Sequence, residues 1–111
     1  MVILGSTFSL QMIPRENCSI NVEWITPEEA NEWLDQGFLS AVGHESTAAV
    51  LSDMLGRHIE MNRIRSSMSY DDVLIVGQLV SGRLPEGCTT LPADVEFTFV
   101  KVTLQRNERG L

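Results

Sequence analysis

The run Val73–Val80 constrains the fold of this chain more than any other segment. Every residue in it is apolar except Gly77 and Gln78. The alternation expected of a half-buried strand is missing, and the run is too short for a typical helix. A nearly continuous apolar run of this length is typical of a strand that is covered on both faces. We therefore predict a central strand of a sheet here.

Four further segments have the pattern of strands, at 2–4, 19–25, 38–42 and 95–104. In the second segment, Ile20, Val22 and Trp24 alternate with polar residues and share one face. The third is a short apolar link. In the last segment the apolar phase changes between Phe99 and Val100, which indicates either a bulge or burial on both faces.

Two helices complete the predicted fold. Thr26 and Glu29 form a capping box around Pro27 at the first helical position, and Gly37 ends that helix. The second helix begins in the stretch 44–47, has apolar residues at i, i+3, i+4, i+7 and i+8 from position 47, and stops at Gly56. We expect one α/β domain over residues 1–111, with a mixed sheet of about five strands flanked by helices.

The charge of the chain limits its partners. Eight Lys and Arg against fifteen Asp and Glu give a net charge of −7, which repels long DNA or RNA and disfavours a DNA-binding regulator. A small anionic ligand in a local basic pocket is compatible with that charge. No apolar run approaches the ~20 residues of a membrane helix, so we expect no membrane contact and a cytoplasmic location. Cys18 and Cys88 form no metal motif, and no metal or cofactor is expected.

The stretch 43–47, Gly-His-Glu-Ser-Thr, is the most informative for function. It places His44 at the start of the second helix, where free backbone N–H groups and the helix dipole attract anions. Gly43 lets a ligand approach the backbone, and Ser46 and Thr47 offer hydroxyl groups. In the plainer interpretation, Glu45 and Ser46 cap the helix and His44 is a surface residue.

Three other places carry candidate residues. Arg63 and Arg65 share one face of an extended segment, although two such residues can also form a solvated edge. Gln78 interrupts the apolar strand, and a buried amide there must bond either to backbone or to a ligand. The loop 82–87 holds Arg83 and Glu86 between turn-forming residues.

These motifs together resemble one family. The segments 7–12 (TFSLQM), 41–47 (AVGHEST), Asn62-Arg63, Gln78-Leu79 and 82–87 (GRLPEG) occur in the order seen in the type III anti-CRISPR ring nucleases of archaeal viruses and bacteriophages. The similarity covers essentially the whole chain. Ser6 and Gln11 depart from it, since they stand where viral relatives often have asparagine.

The resemblance implies a homodimeric α/β protein that binds cyclic tetra-adenylate at the dimer interface and cuts it without a metal. Cutting that messenger switches off type III CRISPR signalling. By position, the resemblance implies a catalytic acid and two further catalytic residues, His44, Arg83 and Glu86. It also implies ligand-binding residues, which are Ser9, Ser46, Asn62, Arg63 and Gln78.

The chemistry is consistent with those residue types. RNA supplies its own nucleophile, the ribose 2′-OH, and histidine is suited to protonate the leaving oxygen near neutral pH. Two alternatives stay open. The same fold could sequester a cyclic oligonucleotide without cutting it, or the chain could be a viral or mobile-element protein that binds a host protein.

Overall fold

The computed structural model describes residues 1–81 and 83–107. In chain order, the elements are β1 (Val2–Gly5), a 3-10 turn (Leu10–Met12), β2 (Cys18–Ile25), α1 (Pro27–Leu34), β3 (Phe38–Ser40), α2 (Glu45–Leu55), β4 (Val73–Ser81) and β5 (Glu96–Arg106). None of the helices within the described ranges has the length and apolar character needed to cross a membrane.

The five strands form one mixed sheet in the order β2-β5-β4-β1-β3. β1 pairs in parallel with both β3 and β4, while β5 pairs antiparallel with both β4 and β2. The predicted α/β fold with a five-stranded mixed sheet is therefore confirmed, and β4 lies in the middle of the sheet as its apolar run indicates.

Both helices pack on one face of the sheet, which we call the helix face. Leu34 of α1 and Leu51 of α2 belong to a core cluster with Leu4, Ile75 and Phe99. The opposite face, which we call the open face, has a second and smaller core of Ile3, Leu74, Val76, Val102 and Leu104. Segments outside α1 and α2 cover that second core through Phe8, Met12, Ile13, Met68 and Tyr70. The predicted helices thus flank the sheet on one side only.

The local signals for helix ends are confirmed. Thr26 accepts a bond from the Glu29 amide, and the Glu29 side chain accepts one from the Thr26 amide, as a capping box requires. Gly56 ends α2 in the left-handed conformation, at φ 66°.

The phase change in β5 reflects burial on both faces rather than a bulge. Phe99 belongs to the helix-face core, while Val100 packs against the open-face core. The pairing of β5 with β2 and β4 runs unbroken through these two residues, and the register shift lies between Leu79 and Ser81 of β4.

The part of the open face that β2 forms is not covered. Ile20, Val22 and Trp24 pair with Leu104, Val102 and Val100, and directly paired residues share a face. They are 37%, 52% and 74% exposed. A row of three exposed apolar side chains on one strand is a patch of the kind that marks an interaction surface.

Candidate functional site

An open cleft of about 1050 Å³ lies where β1 and β4 end. Residues of three loop or helix segments line it, from 6–7, 44–49 and 83–89, together with Leu79 of β4 and Phe97 of β5. In open α/β sheets, ligands bind at the carboxyl ends of the parallel strands, where connections diverge to opposite sides. The chain leaves β1 toward β2 and enters α2 from β3 at this edge, so the cleft is at the position expected for a ligand.

His44 lines this cleft. It is the N-cap residue of α2, with extended backbone (φ −128°, ψ 136°), and its exposed side chain makes no capping bond. The proposal that Glu45 and Ser46 cap the helix is therefore wrong, because the backbone becomes helical one residue earlier. An imidazole without a capping bond is free to face a ligand beside the first-turn N–H groups.

Ser46 connects the stretch 43–47 with the segment 83–87, which lies about 40 residues later in the sequence. Its hydroxyl oxygen accepts a hydrogen bond from the Gly87 N–H at 3.2 Å. This contact brings the segment 83–87 against the start of α2, so that Arg83 and Glu86 line the same cleft as His44. The Ser46 hydroxyl can still donate to an anion. Gly82, which the motif also contains, lies outside the described residues.

Ser9 lies at a second, smaller cleft of about 190 Å³. It caps the 3-10 turn by accepting a bond from the Gln11 N–H at 3.2 Å. Gln11 and Arg65 also line this cleft, and Thr7 lines both clefts, so the two adjoin at the end of β1. Ser6 and Gln11, the two departures from the family pattern, therefore lie at the main and second clefts respectively.

Asn62 and Arg63 bond to backbone beside the cleft. The Asn62 side chain donates to the Ser40 carbonyl at 2.7 Å. The Arg63 guanidinium donates twice to the Gly43 carbonyl, from Nε at 3.1 Å and from Nη2 at 3.0 Å. Arg63 is exposed, so its remaining N–H groups are accessible.

Gln78 is not placed as expected. Its side chain is exposed, so the prediction of a buried amide is wrong. Gln78 pairs with Thr98 and alternates with Leu79, which lines the main cleft from the helix face. Gln78 therefore lies on the open face, beyond the reach of the segments that cover the second core. A ligand contacting both Gln78 and His44 must cross the edge of the sheet or be held by two subunits.

The main cleft is not predominantly basic. Among its described lining residues Arg83 is the one Lys or Arg, and Glu45 and Glu86 are acidic. Arg63 beside Gly43 and Arg65 in the second cleft add positive charge nearby. The positive charge around the site is thus divided among three arginines rather than concentrated in one cleft.

Two features of the site were not predicted from the sequence. Thr7 borders both clefts, and its position directly after a buried strand was the available signal. Leu79, Leu84 and Phe97 form an apolar wall of the main cleft, which periodicity alone assigns to core. Among the described residues, no three His, Cys, Asp or Glu side chains are grouped as metal ligands would be.

Comparison with known proteins identifies the family. The profile of the STIV B116-like family matches residues 2–104. "Uncharacterized protein 26" of Sulfolobus islandicus filamentous virus (isolate Iceland/Hveragerdi) is 35% identical over 88 residues, which are 78% of this chain and 74% of that protein. The solved structure of B116 from Sulfolobus turreted icosahedral virus has the same fold, with a TM-score of 0.77 and 23% identity over 92% of this chain and 97% of that chain. The chain belongs to the STIV B116-like family, and both of these relatives are proteins of Sulfolobus viruses.

Proposed function

We propose that this protein is a metal-independent ring nuclease that cleaves cyclic tetra-adenylate into linear di-adenylates with 2′,3′-cyclic phosphate ends. One observation carries the proposal. His44, Ser46, Arg83 and Glu86 come from segments that are distant in the chain, and all four line one cleft at the carboxyl edge of the parallel strands. These are residues that the family resemblance assigns to catalysis and binding.

The reaction uses groups already in the cleft. The ribose 2′-oxygen forms a bond to the adjacent phosphorus, and its proton passes to the exposed Glu86 carboxylate. The bond from phosphorus to the 5′-oxygen breaks, and His44 in its protonated form gives that oxygen a proton. Arg83 stabilises the negative charge of the phosphorane. Holding the 2′-oxygen in line with the scissile bond supplies much of the acceleration.

We infer that the active form is a homodimer joined through the open face. Trp24 of β2 pairs with Val100 of β5. Thr98, two residues earlier on β5, pairs with Gln78 of β4. The uncovered patch of Ile20, Val22 and Trp24 therefore lies near the edge that carries the clefts. A second copy packed there would cover the patch and would contact the face of the sheet that carries Gln78. It would also double the arginines available to a tetra-anion.

The substitution Trp24→Lys tests this surface. Trp24 is 74% exposed, so the change should leave the fold intact while placing a charge in the proposed interface. We expect the native protein to have twice the chain mass by light scattering, and the variant to dissociate at least about tenfold more readily, which corresponds to about 1.4 kcal/mol. Asn21→Lys is the matched control, since Asn21 is an exposed β2 residue facing the other way. A native monomer at micromolar concentration would contradict the surface and the dimer.

The viral relatives support the biological role. A virus that degrades cyclic tetra-adenylate inside the host cytoplasm would stop the nucleases that this messenger activates. The proposal thus assigns the protein an anti-CRISPR function, with cyclic tetra-adenylate and a second copy of itself as partners and no long nucleic acid or membrane.

Incubation of the native protein with cyclic tetra-adenylate in EDTA tests the activity. We expect loss of the ring and accumulation of di-adenylate with cyclic phosphate ends, measured by mass spectrometry. A ring that stays intact but raises the melting temperature of the protein would indicate sequestration instead. An intact ring with no thermal shift would reject both and favour a protein that acts on a host protein.

A further inference from the structure

The backbone before His44 is held by a neighbouring segment, 60–63, that runs beside residues 40–43. The Ser40 hydroxyl donates to the Glu60 carbonyl at 2.6 Å, and the Asn62 N–H donates to the Val42 carbonyl at 2.7 Å. The Arg63 guanidinium then makes its two bonds to the Gly43 carbonyl. Each residue from Ser40 to Gly43 except Ala41 is therefore bonded to this segment.

His44 needs such support because its own side chain makes no capping bond. Its backbone is anchored on the helix side by the Ala48 N–H, which donates to the His44 carbonyl at 3.0 Å. On the other side, the peptide unit that joins Gly43 to His44 has its carbonyl held by Arg63. Gly43 lacks a side chain that could fix its backbone, and Arg63 lies against it, with Cγ 3.7 Å from the place of a Cβ.

We propose that Arg63 is a positioning residue that orients His44 through the Gly43 carbonyl, and that its charge is not what the reaction requires. The inference rests on the proposed function, because the imidazole is oriented for proton transfer. It differs from the ligand-binding role that the resemblance implies for Arg63. Two N–H groups of Arg63 are directed to the Gly43 carbonyl oxygen, and this contact is what the proposal assigns to Arg63.

Two variants of similar side-chain length separate positioning from charge. In Arg63→Gln the amide nitrogen stands where Arg63 has Nε, so one donor to the Gly43 carbonyl is kept and the charge is removed. In Arg63→Met a methyl group stands there, so donor and charge are both lost. Positioning predicts that Arg63→Gln retains kcat within about threefold. Arg63→Met should lower kcat by about 10- to 100-fold with KM nearly unchanged, since a 1 Å misplacement of a catalytic group can lower the rate by about 10²-fold.

A ligand-binding role predicts a different result. If the Arg63 charge holds a phosphate, Arg63→Gln and Arg63→Met raise KM equally and have the same kcat as each other. That outcome would overturn the proposal. Arg15→Gln is the charge-matched control, because Arg15 is exposed and lines neither cleft.

A measurement without substrate keeps this test independent of the proposed function. The imidazole resonances of His44 and the amide exchange of residues 45–47 are recorded by NMR for the three forms. We expect native-like signals in Arg63→Gln and shifted signals with faster exchange in Arg63→Met. Unchanged signals in Arg63→Met would reject positioning even if the native protein cuts no ring, and shifted signals would support it in the same case.

Discussion

Replacement of His44 by alanine should lower the cleavage rate of cyclic tetra-adenylate by about 10²- to 10⁴-fold, the usual contribution of a general acid. The dissociation constant for the ring should change little, because Ser46, Arg83 and the start of α2 stay in the cleft. Single-turnover cleavage gives the rate, and calorimetry with the variant gives the affinity. The fold should be unaffected, since His44 is exposed and makes no side-chain capping bond.

His58→Ala provides the matched control for this substitution. His58 is exposed and lies beyond α2, outside both clefts, so the control removes an imidazole without touching the site. We expect native activity from it. Equal rates for native protein and His44→Ala would reject the assigned acid. Loss of binding together with activity would assign His44 to ligand recognition instead.

The substitution Gly77→Ala should destabilise the protein by about 1–3 kcal/mol, the usual cost of overpacking a core. Gly77 is buried in the central strand, on the face covered by α2. A Cβ there would lie 2.8 Å from Leu51 Cδ2 and 2.9 Å from Phe99 Cε1. Both contacts are too short, so the Leu51 side chain and the Phe99 ring must both shift. Urea denaturation of native protein and variant measures the change in the free energy of unfolding.

A double-mutant cycle with Leu51→Ala checks the cause. Leu51 is fully buried, so Leu51→Ala alone should cost about 2–5 kcal/mol. The methyl group introduced by Gly77→Ala partly fills the space that Leu51 leaves, so the double variant should lose less stability than the sum of the two single variants. Additive losses would show that Gly77 is needed for another reason than the approach of α2.

Local signals in the sequence were sufficient for the strands and helices. The capping box at Thr26, the left-handed Gly56 and the apolar run of β4 each act within a few residues, and each is present in the structure. The grouping of His44 and Ser46 with Arg83 and Glu86 was expected from motif resemblance, and these four line one cleft.

The surroundings of Gln78 and Arg63 depended on contacts between distant segments, including those that cover the faces of the sheet. The apolar run predicts that Gln78 is buried, but the segments over the open face do not reach it, and it is exposed. The extended pattern places Arg63 on a face with Arg65, at a solvated edge or toward a ligand, and does not reveal its backbone partner Gly43, twenty residues away. The sequence by itself determined the strands, the helix ends and the residue types of the cleft, because these follow from short-range propensity and periodicity. The tertiary structure decided which polar groups meet backbone and which meet solvent, because that depends on contacts between segments distant in the chain.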